Sequence, residues 1–172
     1  DLQIQIPYIK NLVNGFTIAA FEKDGIEADD IIGTICKKCK EDLDVVIVSG
    51  DKDMMQLIEP KVSMIDTMKN KTYGPKDVVA KLGVEPKLVV DFLGLTGDSS
   101  DNIPGVPGIG PKTAQKLLET YGSIEGIYKH IDDLDKEKLK ENLLKHKENA
   151  FLSKELATID QHVPIDFDLN EM

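Results

Sequence analysis

The 172-residue chain contains no arginine; all 21 of its basic residues are lysines. Any phosphate it holds is therefore met by point charges and backbone amides, without the bidentate fork of a guanidinium. No stretch approaches the ~18 consecutive apolar residues that a membrane span requires. There is no signal-peptide pattern, no low-complexity linker and no long internal repeat, and the chain opens at Asp1, Leu2 and Gln3 without a methionine. That opening is the one expected of a piece of a longer protein. Only two cysteines are present, Cys36 and Cys39. With no second Cys pair and no nearby His, this C-x-x-C spacing cannot complete a zinc site. Ile31, Ile32, Ile35, Cys36 and Cys39 also fall on one helical stripe, so the cysteines are expected to be buried free thiols, which suits a reducing cytoplasm.

What is present is ordinary in amount: 41% hydrophobic and 30% charged residues, in a chain long enough to bury roughly 70% of its unfolded surface. It can form one good-sized domain or a compact body with a smaller lobe. The net charge of −10 argues at first against nucleic-acid binding, which favours a basic balance. Seven of those negative charges, however, sit in three short clusters: Glu27, Asp29 and Asp30; Asp51 and Asp53; Asp98 and Asp101. Two divalent cations would offset four of them. The scattered acids Asp132, Asp133 and Asp135 read as ordinary soluble surface.

Helical spacing of Ile4, Ile9, Leu12 and Val13 predicts a helix ended by Asn14 and Gly15. Residues 16–21 read as a short buried strand, Asp24 and Gly25 as a turn, and residues 27–40 as a helix. The aliphatic run 45–48 predicts a strand covered on both faces, followed by a short helix over 54–58 and a strand over 62–65. Residues 69–71 form a polar turn, and Pro75 and Pro86 each stand where a helix starts. Beyond Pro75 the pattern is helical apart from one glycine-rich turn, which sets a soft boundary between residues 1–74 and 75–172. Residues 159–168 read as extended. The fold class is α/β, a sheet flanked by helices followed by an all-helical lobe.

Spacing decides what each acidic cluster can do. Glu27 and Asp30 are three apart and share a helix face, while Asp29 is rotated by about 100° from Asp30. Acids in a first helical turn are favoured by the helix dipole even without a metal. Asp51 and Asp53 follow the end of a strand, where open α/β sheets place their ligands. Asp98 and Asp101 would be aligned by a single helical turn. Oxygen-only donors suit Mg²⁺ or Mn²⁺ rather than zinc. The third cluster leads into GVPGIGPKT at residues 105–113, read as a hairpin between two helices with Val106 and Ile109 turned inward. Gly105, Gly108 and Gly110 allow close approach of another backbone, and the following helix start, with Lys112 and Thr113, favours a phosphate. Such contacts ignore base sequence.

Three segments, EADDIIGT at 27–34, VIVSGDKD at 46–53 and LTGDSSDNIPG at 95–105, resemble the 5′ nuclease family, which includes flap endonucleases. Among its members they are similar to the 5′→3′ exonuclease domains that open bacterial DNA polymerase I. The resemblance covers nearly the whole chain in order and spacing. It implies a PIN-like core, incomplete here, and a helix-hairpin-helix lobe. It also implies hydrolysis of DNA phosphodiesters with two bound metals. Glu27, Asp29, Asp30 and Asp51 would serve the first metal, and Asp51, Asp53, Asp98 and Asp101 the second. Gly105, Gly108, Gly110, Lys112 and Thr113 would hold duplex DNA, with K⁺ at the hairpin in many members. The implied partner is duplex DNA with a 5′ end or flap; a monomer, no membrane and a C-terminal polymerase domain are expected. The family also uses aspartates on a first strand and basic residues in a helical arch, both N-terminal to the matched region, so the chain alone is expected to be inactive or nearly so. His130, His146 and His162 receive no role. Two other readings remain at this point: a non-catalytic duplex-binding module, and a metal-dependent phosphatase for small substrates. A stand-alone 5′ nuclease without polymerase is a variant of the nuclease reading.

Overall fold

The structure is a computed structural model and describes residues 2–168. It divides into two compact units, one of residues 1–35 with 160–172 and one of residues 36–159. The change from strands to helices at residue 75 therefore falls inside the second unit.

In the first unit, α1 (Leu2–Gly15) carries Pro7 in its interior and has no buried residue. Residues 16–21 do not form the expected strand, and Phe16 and Ile18 are exposed. The amides of Phe16, Thr17 and Ile18 close the end of α1 by donating to the carbonyls of Leu12, Asn14 and Val13, and Thr17 takes a positive φ of 54°. With those amides committed to the helix end, the start of the run cannot join a ladder. The Asp24–Gly25 turn then leads into α2 (Ala28–Cys39), whose last turn, from Cys36 on, belongs to the second unit. A small apolar core gathers Ile31, Val163 and Ile165 with Phe21, Ile26, Ile35 and Phe167. The extended segment after residue 159 is held to α2 by its backbone: Val163 N–H donates to Thr34 Oγ1 at 3.0 Å and Asp160 N–H to Asp30 Oδ1 at 2.8 Å.

The second unit opens with the sheet. Strand β1 (Val45–Val48) pairs in parallel with β2 (Val62–Asp66), which pairs antiparallel with β3 (Lys71–Tyr73). Sheet order β1-β2-β3 makes β1 an edge. Its faces are not both covered as expected: Ile47 is buried, but Val46 and Val48 are exposed. Aliphatic density reports how well residues fit a pleated strand, which these do, and not whether a layer covers them. β3 was not anticipated; it is too short to carry a period of its own and is specified by its partner Met64↔Tyr73 register. Helices α3 (Pro75–Leu82), α4 (Val89–Thr96), α5 (Pro111–Tyr121), α6 (Ile124–Lys129), α7 (Glu137–Lys145) and α8 (Lys147–Ala157) follow. Pro75 and Pro86 both start helical turns, where a missing N–H is harmless. Apolar α4 is the centre of this lobe and packs on α8, α5 and α6. Cys36 and Cys39 are free and buried, and burial pushes the Cys36 thiol up to about 11.

Candidate metal centre and nucleic-acid interface

At the end of β1 the chain turns through Ser49 and Gly50. Asp51 N–H donates to Ser49 Oγ at 3.0 Å, and Asp51 Oδ1 accepts Asp53 N–H at 2.9 Å. Asp51 thereby caps the 3-10 turn Asp53–Leu57, whose Met54, Met55 and Leu57 are buried. Those three apolar side chains anchor the turn and fix where Asp53 stands. The third cluster arrives from α4. Asp98 and Asp101 are not on a helical turn; Asp98 and Ile103 exchange backbone hydrogen bonds of 2.9 and 2.8 Å, closing a tight reversal. Gly97 and Asn102, with φ of 70° and 57°, break the helical path and make the chain double back. The reversal still does what spacing alone suggested. One carboxylate oxygen each from Asp53, Asp98 and Asp101 lies within 4.8 Å of the other two.

These acids strain one another. Burial, followed by the charges of Asp51, Asp98 and Asp101, pushes Asp53 up to about 6. Asp98 is buried too, which would raise it, but Lys52 and the Ser100 hydroxyl and amide outweigh burial and hold it below its ordinary value. Ser100 N–H donates to Asp98 Oδ1 at 3.0 Å. Lys52 Nζ lies 2.5 Å from Asp98 Oδ2 in an ion pair. Asp53 Oδ1 is buried with no hydrogen-bond partner among the described residues. An orphaned, like-charge-crowded carboxylate oxygen is costly, and a cation is the group that would satisfy it. Lys52 supplies one positive charge where three carboxylates meet. An all-oxygen donor set of this kind fits a hard divalent ion.

The remaining sequence candidates belong to the first unit. Glu27 is exposed just before α2, and Asp29 and Asp30 lie in its first turn. One oxygen of Asp30 is engaged by the Asp160 amide. The close triad is thus made wholly of second-unit residues, with Asp51 bonded beside it.

The glycine hairpin grows from the same reversal. Gly105 has φ of 61°, and a Cβ there would lie 2.3 Å from Gly97 N, so the two backbones can touch only without side chains. Gly105 N–H donates to buried Ser153 Oγ at 2.8 Å, and Val106 N–H to Leu95 O at 2.9 Å. Val106 and Ile109 are buried, as expected of residues that lock the turn. Gly108 has φ of 82°, and Gly110 is the N-cap of α5 with nothing within 4 Å of where its Cβ would be. Exposed Lys112 and half-buried Thr113 follow Pro111 in the first turn. Asn142 Nδ2 braces the turn on Pro107 O at 2.8 Å. Sequence reasoning missed Lys52, Ser100, Asn142 and Ser153. Only Lys52 carried a local signal, as the single cation inside an acidic cluster.

The N-terminal resolvase-like domain of 5′–3′ exonuclease matches residues 1–83, and its C-terminal SAM fold matches residues 84–172. The chain belongs to the 5′–3′ exonuclease family. DNA polymerase I of Bacillus caldotenax is 44% identical over 177 residues, covering 100% of this chain and 20% of that protein. The Bacillus subtilis DNA polymerase I is 45% identical over 171 residues, covering 96% and 19%. The chain spans about a fifth of the length of these relatives. Among solved structures, T5 5′-exonuclease with bound divalent zinc superposes with a TM-score of 0.79 at 28% identity, over 90% of this chain and 59% of that one. A T5 flap endonuclease in a pseudo-enzyme–product complex with DNA and metal ions gives 0.76 at 28%, over 91% and 58%. The catalytic core of Rad2 in complex with DNA substrate shares the 5′–3′ exonuclease fold, with a TM-score of 0.60 at 18% identity, over 95% and 57%. No helix among the described residues is long and apolar enough to cross a membrane.

Proposed function

We propose that this chain is the carboxylate-bearing and duplex-binding part of a structure-specific 5′→3′ exonuclease and flap endonuclease, acting on DNA phosphodiesters. The observation that carries the reading is the continuity of the loop from α4 to α5: its first half brings Asp98 and Asp101 to Asp53, and its second half is the glycine hairpin. A site for cleaving and a site for holding phosphates are then built by one segment. Asp51, Asp53, Asp98 and Asp101, with Glu27, Asp29 and Asp30, are assigned to two Mg²⁺ or Mn²⁺ ions. When bound, such ions supply Lewis acidity toward water and the phosphoryl oxygens, so no histidine base is needed. Asp51 orders the Asp53 turn, and Ser100 and Lys52 orient the two oxygens of Asp98. Gly105, Gly108, Gly110, Lys112 and Thr113 are assigned to the duplex phosphates, with K⁺ allowed for at the hairpin. Placement in a DNA polymerase I serving replication and repair is supported by the relatives' identity; a cytoplasmic monomer is proposed with it, and a nuclease without polymerase is the variant.

The test is cleavage of a 5′-labelled flap duplex with and without Mn²⁺ or Mg²⁺, on residues 1–172 and on any longer polypeptide containing them. Metal-dependent release of short 5′ products in either case supports the reading. Slow cutting by residues 1–172 beside fast cutting by a longer form supports reliance on a first-strand acid and arch. Metal-independent cutting, or duplex binding with no cutting in any form, replaces it with a binding module.

A further inference from the structure

Away from the carboxylates, the second unit gathers lysines around one buried ring. Tyr73, at the end of β3, is 3% exposed. Lys71, two residues earlier and so on the same strand face, and Lys81, from the last turn of α3, each hold an ammonium 4.8 Å from the ring centroid. The two charges are therefore no farther apart than twice that distance. Their stems cover the ring while their heads stay in water, and the ring's negative face attracts both. Lys69, in the turn before β3, lies 2.6 Å from the buried Asp66 Oδ2, with its own side chain 61% exposed. Among the described residues neither Lys71 nor Lys81 is ion-paired. Lys81 is held below its ordinary value, first by burial and then by Lys69, with Lys71 and Lys52 adding to it and Asp66 opposing.

Such crowding is unexpected in a chain of net charge −10, where carboxylates are plentiful. Its position relates it to the site already described. Asp66 Oδ1 lies 3.9 Å from where a Cβ on Gly50 would stand, next to Asp51, and Lys52 reaches from that turn to Asp98. We propose that Lys69, Lys71 and Lys81 form a phosphate-binding ridge for the DNA strand passing over the Asp53, Asp98 and Asp101 site, separate from the glycine hairpin. This inference rests on the nuclease reading and deepens it. Point charges on flexible stems follow a phosphate backbone without reading bases, and a local excess of positive charge draws a polyanion to a carboxylate-lined site that would otherwise repel it.

The experiment compares the unaltered chain, the double variant Lys71→Gln/Lys81→Gln and Lys112→Ala, binding a fluorescent 5′-flap duplex in Ca²⁺ across 50–200 mM salt. Lys69 is left in place so that Asp66 is not stranded. The ridge predicts a log–log salt slope shallower by about 1.8 in the double variant, equal for two unrelated duplex sequences. Lys112→Ala should lower the slope by about one. An unchanged slope in the double variant, beside weakened binding by Lys112→Ala, overturns the ridge and leaves the nuclease reading standing. A lower melting temperature with an unchanged slope also overturns it, since the lysines would then merely pack on Tyr73. Absence of salt-dependent duplex binding by the unaltered chain overturns both.

Discussion

Two aspartates in the second unit, Asp91 buried and Asp53 half-buried, have opposite circumstances. Asp91, in the first turn of α4, has one oxygen accepting the Ile124 amide at 2.8 Å and the Lys154 ammonium at 2.7 Å, and Lys154 is shared with Glu125. Every charge there has a partner, and the cluster ties α4 to α6 and α8. Among the described residues, Asp53 stands beside Asp51, Asp98 and Asp101 with one oxygen orphaned, and Lys52 is the one cation that offsets it. The first arrangement is finished by folding. The second is left short of positive charge, which is what a site awaiting cations looks like when the protein alone is considered. Paired buried acids serve the fold, and crowded unpaired ones are the candidates for chemistry.

The largest effect that would break this contrast concerns cleavage. Asp51→Ala removes both a carboxylate and the cap that orders Asp53, and should slow metal-dependent cutting on the order of 10³-fold, about 4 kcal/mol of barrier. Duplex binding, assigned to residues 105–113, should stay within about twofold. Single-turnover cutting and anisotropy on the same preparation check this; equal loss in both would mean that the acids are structural after all.

Asp91→Ala should do the reverse. It strands the Ile124 amide while Lys154 keeps Glu125, so a loss of about 2–3 kcal/mol is expected, or roughly 5–10 °C in melting temperature. Cutting per folded molecule should be nearly unaffected. Thermal unfolding followed by circular dichroism measures the first and a cleavage assay well below the midpoint the second.

Asp53→Asn sharpens the comparison by pH. The folded chain holds the Asp53 proton up to about 6, against an ordinary value of 3.8. Between those values the unfolded chain has released it, so this group's contribution to stability falls as pH rises from about 4 to 6 and stays low above. Without divalent ions, Asp53→Asn should therefore raise the melting temperature at pH 8 by about 2–4 °C, roughly 1 kcal/mol, and by nothing at pH 4. Added Mn²⁺ should raise the melting temperature of the unaltered chain more than that of the variant. A variant destabilised equally at both pH values would show that Asp53 is not under like-charge strain.

How much of this was legible beforehand depended on whether the cause was local. Helix starts at Pro75 and Pro86, the Asp24–Gly25 turn and the inward Val106 and Ile109 follow from neighbours in sequence, and they were readable. β3 and the exposed faces of β1 depend on strand partners and covering layers, which composition does not encode. Residues 16–21 looked like a strand because a short apolar run has no period to distinguish it; the end of α1 had already taken its first amides. At the site, the acids announced themselves by type and clustering, but their arrangement did not. Asp98 and Asp101 meet through a reversal set by Gly97 and Asn102 rather than a helical turn. Asp30 binds an amide 130 residues away, a pairing no local pattern contains.

The smallest expected effect tests the hairpin. Lys112 is exposed in the first turn of α5, beside Gly110, where there is open room for a ligand. Unlike half-buried, crowded Asp53 it is exposed and has room around it, so replacing it should leave the fold intact and the melting temperature within about 1 °C. Its contribution is one screened charge on one phosphate. Lys112→Ala should thus weaken duplex binding by a few-fold at 50 mM salt, lower the log–log salt slope by about one, and do so alike for any base sequence. Cutting at saturating DNA should hardly change, because the proposal places the lysine on the held duplex and not on the reacting phosphate. A variant that bound normally but cut slowly would move Lys112 from the binding half of the loop to the catalytic half, and the division of labour between residues 97–103 and 105–113 would have to be redrawn.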